Sequence, residues 1–113
     1  MQYMALIYAE EGYQANYEGD LMADYGQFGQ EAMAAGVFKA GDALMPVSDA
    51  SSVQVRGGNT TVTDGPFAET KEALGGYYLL ECADLDEALK WAAKIPTAKY
   101  GTIEVRPVMV FDQ

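Results

Sequence analysis

The first residues of the chain alternate as in a β-strand that is apolar on both faces. Residues 2–9 direct successive side chains to opposite sides, with Tyr3, Ala5 and Ile7 on one and Met4, Leu6 and Tyr8 on the other. A strand with two apolar faces is covered on both. Helices can cover one face. In so short a chain we expect a second subunit to cover the other, which predicts a homodimer.

A second pattern, with apolar residues three and four positions apart, predicts a helix over residues 18–35 that ends at Gly36. Gly26 and Gly29 lie inside this helix, where glycine is unfavourable. Two explanations stay open: close packing against a sheet, which we favour, and close approach of a ligand.

The rest of the chain predicts one more helix and several strands. The helix begins at Asp84, which stands at capping-box spacing from Glu87, and ends before Pro96. The predicted strands are 37–44, a hairpin that runs from Val53 to Thr63 around Gly57, Gly58 and Asn59, then 76–82 and 102–111. Pro107 cannot donate to a strand ladder, so the last strand is expected at a sheet edge or to break there.

The order β-α-β, hairpin, β-α-β predicts a single α+β domain over residues 1–113. Two helices on one face of an antiparallel sheet, in split βαβ order, form the ferredoxin-like arrangement, here with an inserted β-hairpin.

Composition narrows the function classes. The chain has no His, one Cys, and 7 Lys+Arg against 17 Asp+Glu. The absence of His removes His-based catalytic triads and His-ligated metal sites, and no cofactor or metal motif is present. A net charge of −10 disfavours nucleic acid and anionic membranes as partners. The N-terminus does not resemble a signal peptide and the lone Cys82 suits a reducing compartment, so we expect a cytoplasmic protein.

The candidate chemistry lies in the segment 63–76, which joins two predicted strands by an unusually long connection. Asp64 begins a Gly-Pro turn, and Phe67 is an aromatic side chain that we expect to be buried. Charged side chains of both signs follow, and the last strand adds a further pair. The candidate ligand-binding residues are Asp64, Phe67, Glu69, Lys71, Glu72, Glu104 and Arg106.

These charged residues have two interpretations. They form a buried network that ties the segment to the sheet, with Arg106 paired to Glu104, Glu69 or Glu72. Alternatively, they surround the mouth of a cleft and bind a small polar or anionic molecule through Arg106 and Lys71. Asp64 and Phe67 likewise have structural readings, as a turn cap and a loop anchor.

Three blocks of the sequence resemble one family. They are Thr-Asp-Gly-Pro-Phe-Ala-Glu-Thr-Lys-Glu-x-Leu-Gly-Gly-Tyr-Tyr at 63–78, Asp-Leu-Asp-Glu-Ala-x-x-Trp-Ala at 84–92, and Gly-x-x-Glu-Val-Arg-Pro-Val at 101–108. Together they resemble the DGPF branch of the YCII-related family. The resemblance implies a dimeric α+β barrel of ferredoxin-like subunits. It supplies no reaction, since related barrels include isomerases, cofactor-independent oxygenases and binding proteins.

The chain departs from the wider YCII family at its favoured catalytic candidate, a His–Asp pair near the end of the first helix. Aligned from Gly36, the His position falls on Tyr25 and the acid position on an alanine. The His found before the last strand in many members of the branch is also missing, at Lys99 to Gly101. The resemblance therefore assigns no catalytic residue here.

Two functions remain open. In the first, a small polar molecule binds, or reacts, in a cleft made by segment 64–76 and the strand of Glu104 and Arg106. If this is an enzyme, Asp64 or Glu69 is the expected base and Arg106 the anion stabiliser. In the second, the chain is a non-enzymatic interaction module that uses an acidic helix face, formed by Asp20, Asp24, Gln27 and Glu31. Members of this branch are often encoded beside extracytoplasmic-function sigma factors, which implies a sigma factor as that partner.

Overall fold

A computed structural model describes residues 1–111, so the last two residues of the predicted domain lie outside it. The strands and helices are, in chain order, β1 (Gln2–Ala9), α1 (Leu21–Ala34), β2 (Phe38–Ala43), β3 (Ser51–Arg56), β4 (Asn59–Asp64), β5 (Ala73–Glu81), α2 (Leu85–Ala93) and β6 (Thr102–Pro107). Single 3₁₀ turns lie at Tyr13–Asn16, Val47–Asp49 and Pro96–Lys99.

The main sheet has four antiparallel strands in the order β2-β5-β1-β6, and both helices pack on the same face of it. The remaining strands, β3 and β4, form a separate hairpin and pair with no other strand of residues 1–111. This arrangement confirms the ferredoxin-like α+β fold with an inserted hairpin.

The core lies between the sheet and the two helices, as the alternation in β1 predicts. Tyr3, Ala5 and Ile7 are buried there against Phe28 of α1 and Ala88 of α2. Each buried side chain in this layer removes apolar surface from water, which is the main stabilising contribution to the fold.

The opposite side of the sheet, which we name the open sheet face, is covered by no helix within residues 1–111. Its central strands contribute Met4 and Leu6 from β1, with their register partners Leu79 and Tyr77 from β5. The edge strand β6 adds Glu104 and Arg106 beside them. The apolar members are half-buried in the single chain, and the predicted homodimer stays a prediction.

Gly26 and Gly29 do not serve close packing. A Cβ atom placed on either residue meets no atom within 4 Å, so the favoured explanation is wrong within this chain. Close approach matters instead at the sheet, where a Cβ on Gly101 would lie 2.0 Å from the carbonyl oxygen of Tyr8.

Two predicted strand boundaries differ from the structure. β5 begins at Ala73 because Ala73 and Leu74 still pair with the end of β1, so the connection before it is shorter than expected and spans residues 65–72. β6 ends at Pro107, which lies on an edge strand as predicted, and the strand does not continue to residue 111.

Among residues 1–111, neither helix has the length and apolar character needed to cross a bilayer.

Candidate functional site

A cleft of about 680 Å³ opens at one end of the sheet, where β1 and β2 finish and β5 begins. On the helical side, the cleft is closed by the start of α1 and by residues 10–14, which precede it. Its walls are mainly apolar, with contributions from Leu21, Met22, Leu44, Met45 and Leu74. A cleft of this size is typical of sites for small organic molecules.

Three hydroxyl groups meet at this cleft. The hydroxyl oxygen of Thr97 lies 2.8 Å from that of Tyr13 and 2.5 Å from that of Tyr25. Thr97 is 1% exposed, and all three residues line the cleft. We name Tyr13, Tyr25 and Thr97 the hydroxyl cluster. Since each hydroxyl both donates and accepts, three such groups leave hydrogen-bonding capacity for a bound molecule.

The fold fixes the hydroxyl cluster from distant parts of the chain. Thr97 belongs to the 3₁₀ turn after α2, and its carbonyl oxygen accepts hydrogen bonds from the backbone of Tyr100 and Gly101 at 2.9 and 2.8 Å. Gly101 in turn packs directly on β1. The threonine is therefore anchored to the central sheet.

Tyr25 is held by aromatic packing. Its ring lies 6.5 Å from that of Tyr78, and the Tyr78 ring fills the space over Gly41, where a Cβ would lie 2.4 Å from it. Burial raises the pKa of Tyr25 to about 12. The phenol is thus neutral near pH 7, and it is a hydrogen-bonding group rather than a general base.

The raised pKa of Tyr25 predicts a late phenol titration and a loss of stability in alkali. The folded state favours the neutral phenol, so its stabilisation is fully present below the ordinary value of 10.0 and is lost as the pH rises towards about 12. Tyrosinate absorbance should show one fewer late-titrating group in Tyr25→Phe. An unchanged high-pH phase would contradict this assignment.

Three acidic residues line the cleft, and two of them place carboxylates at its rim. Glu11 accepts a hydrogen bond from the backbone of Val47 at 3.0 Å, and Glu10 is the other. The third, Asp42, is the register partner of Tyr77 and accepts a hydrogen bond from its hydroxyl at 2.8 Å, so this carboxylate lies on the open sheet face. Within residues 1–111, neither Lys nor Arg lines the cleft, and no group of acidic or cysteine side chains gathers closely enough to hold a metal ion.

None of the predicted residues of segment 64–72 lines this cleft. Asp64, Glu69 and Lys71 are exposed, and Glu72 is half-buried. Lys71 reaches the rim, where its Nζ lies 3.7 Å from Oε1 of Glu10. Phe67 is 87% exposed, so the expectation that it is buried is wrong for the single chain.

Glu104 and Arg106 lie on the open sheet face, away from the cleft. The described part of the chain shows no ion pair between Arg106 and Glu104, Glu69 or Glu72. The structure therefore separates the seven candidate residues into the five of segment 64–72, of which Lys71 reaches the cleft rim, and a pair on the sheet.

The acidic side chains of α1 have partners within the chain. Asp20 caps the helix by accepting from the backbone of Ala23, Asp24 accepts from the hydroxyl of Tyr17 at 2.6 Å, and Glu31 lies 3.6 Å from Nζ of Lys94. Each of these three side chains therefore has a structural contact within the chain, and all three remain exposed.

The hydroxyl cluster is the part of the site that the sequence analysis missed. Among its three residues, only Tyr25 stands out in the sequence, because it occupies the position of the His in the wider YCII family. Tyr13 and Thr97 belong to short 3₁₀ turns with no periodic pattern of their own.

Comparison with known proteins shows the family and the fold of the chain. A model of the YCII-related domain matches residues 1–112. A protein of Rhizobium meliloti (strain 1021), described as uncharacterized, is 36% identical over 117 residues, covering 98% of this chain and 94% of the relative. A solved structure of 5-chloro-2-hydroxyhydroquinone dehydrochlorinase from Burkholderia phenoliruptrix AC1100, in complex with 2,5-dihydroxybenzoquinone, is similar in fold. Its TM-score is 0.57 at 14% identity, over 96% of this chain and 94% of that one.

Proposed function

Because the chain belongs to the YCII-related domain family, we propose that it binds a small molecule in the cleft above the hydroxyl cluster. The observation that carries this proposal is the convergence of three hydroxyls from separate elements at one apolar-walled cleft. An apolar pocket with a few convergent polar groups is the usual form of a small-molecule site.

The cleft supplies binding groups of two kinds. The walls offer apolar surface, and the hydroxyl cluster offers neutral donors and acceptors to an oxygen or nitrogen atom of the ligand. The dehydrochlorinase of similar fold holds a small oxygenated ring compound, which supports a small organic ligand here. We assign binding to the cleft and a catalytic role to no residue.

Native mass spectrometry of protein purified from its own host tests the proposal. We expect a reproducible bound mass on the wild-type chain. In Tyr25→Phe its retention should weaken about threefold to tenfold, as expected for the loss of one hydrogen bond. Tyr17→Phe is the matched control, because that hydroxyl is also bonded to a side chain but lies outside the cleft. Bare wild-type chains, or equal retention in both variants, would contradict the proposal.

We further propose that a second copy of the chain covers the open sheet face. The support is the set of half-buried apolar side chains in the centre of the sheet, where Met4, Leu6 and Leu79 lie together and no helix of residues 1–111 covers them. In this arrangement Glu104 and Arg106 meet the second copy rather than the small molecule. We also propose a cytoplasmic location, which the free thiol of Cys82 supports because a reducing compartment keeps thiols in this state.

Placing a charge on the open sheet face is expected to dissociate the dimer. Leu6→Glu buries an unpaired carboxylate at the proposed interface, which is strongly unfavourable. Leu89→Glu on α2 is the control, since Leu89 is exposed on the helical side. Sedimentation should give a monomer for the first variant and a dimer for the second, and a wild-type monomer would exclude the interface.

A further inference from the structure

The charges at the rim of the cleft restrict what it binds. Glu10 and Glu11 line the cleft, and among residues 1–111 the cation in defined contact with them is Lys71, which lies beside Glu10. Asp42 also lines the cleft, but its carboxylate accepts from the Tyr77 hydroxyl on the open sheet face. The whole chain carries a net charge of −10, which adds to the negative potential at the mouth. A cleft lined by one sign of charge, with apolar walls, concentrates ligands of the opposite sign.

The rim does not suit a metal ion as the positive ligand. Divalent cations need several oxygen ligands at one point, whereas no acidic group of this kind forms within residues 1–111. The two rim carboxylates have separate contacts instead: Glu11 accepts from the backbone of Val47, and Glu10 lies beside Lys71. They therefore give the rim negative charge without forming a metal site.

The interior of the cleft suits an organic body. Leu21, Met22 and Leu44 provide apolar contact, and Tyr78, whose ring lies 6.5 Å from that of Tyr25, also lines it. Tyrosine faces attract cations as well as aromatic groups. Beneath them the hydroxyl cluster accepts a neutral polar end.

We propose that the ligand of the cleft is an organic amine: a protonated amino group held by the rim carboxylates, an apolar or aromatic body, and a hydroxyl or carbonyl at its far end that bonds the hydroxyl cluster. This inference rests on the proposed function and names the ligand class of the same site. It also replaces the expectation of an anionic ligand, because Arg106 lies outside the cleft.

Three probes that share a 4-hydroxyphenyl ring and carry a cationic, neutral or anionic group at the other end test the ligand class. They are tyramine, the neutral alcohol tyrosol and the anion 4-hydroxyphenylacetate, each titrated into the wild-type protein at low salt and followed by NMR shifts of the cleft residues. We expect tyramine to bind about tenfold more tightly than tyrosol, and the anion more weakly than both. Added salt should weaken tyramine binding and leave tyrosol binding unchanged.

Variants of the rim give effects of opposite sign. Glu11→Gln keeps the acceptor for Val47 and removes the charge, so tyramine affinity should fall about threefold. Lys71→Gln removes the neighbouring cation and should raise tyramine affinity about twofold. Glu104→Gln makes the same charge change on the open sheet face and is the matched control, with no expected effect.

The outcomes separate this inference from the proposed function. Equal binding of tyramine and tyrosol, or tighter binding of the anion, would overturn the amine class and leave the small-molecule site in place. Binding of none of the three probes would overturn the inference. If native mass spectrometry also finds no bound mass on the wild-type chain, the proposed function is overturned as well.

Discussion

Replacing Gly101 with alanine is expected to lower the free energy of unfolding by about 3 kcal/mol or more, because the new methyl group has no space. A Cβ at this position would lie 2.0 Å from the carbonyl oxygen of Tyr8 and 2.9 Å from the Cβ of Ala9. Both neighbours belong to β1, a central strand that is paired on each side. Moving either of them would therefore disrupt the pairing of the sheet. Urea unfolding followed by circular dichroism measures the loss.

Gly75→Ala is the matched control, since a Cβ there meets no atom within 4 Å. It should change stability by less than about 1 kcal/mol. Any Gly101→Ala protein that still folds should also lose the bound mass, because Gly101 donates to the carbonyl of Thr97. Equal stability of the two variants would show that β6 meets β1 in a different way.

Truncating Leu80 is expected to cost about 2–5 kcal/mol, the range for a buried leucine that leaves a cavity. Leu80 is 0% exposed and lies on β5, between Tyr3 of β1 and Phe38 of β2. The surrounding strands are fixed by their hydrogen bonds, so the space cannot close.

Leu89→Ala deletes the same atoms from a side chain that is 47% exposed, and it should cost less than half as much. Thermal or urea unfolding of both variants gives the comparison. Similar losses for the two leucines would contradict the assignment of Leu80 to the centre of the core.

The fold was accessible from the sequence because it depends on local periodicity. Alternation in β1 identified its buried and open faces, and the spacing in 18–35 identified α1. The Gly57 and Gly58 turn also behaves as predicted, with φ values of 56° and 79° that suit a two-residue hairpin loop. Each of these signals lies within a few residues.

The site was not accessible in the same way, since it depends on contacts between distant residues. Tyr13 and Thr97 are 84 positions apart, and neither lies in a periodic segment. The charges of segment 64–72 suggested a site because they are close in sequence, but burial and direction depend on what a loop packs against. Phe67 is the clearest case: its apolar aromatic side chain suggests burial, but it is exposed in the single chain.

The β3-β4 hairpin leaves the protein with a part that is nearly independent of its core. Its two strands pair only with each other, and Val53, Val55 and Val62 are mostly exposed. Isolated two-stranded hairpins are marginally stable. The β3-β4 hairpin should therefore unfold locally while the four-stranded sheet remains folded. Its tip at Gly57 and Gly58 is therefore a place where a peptide tag or a dye can be inserted without disturbing the cleft.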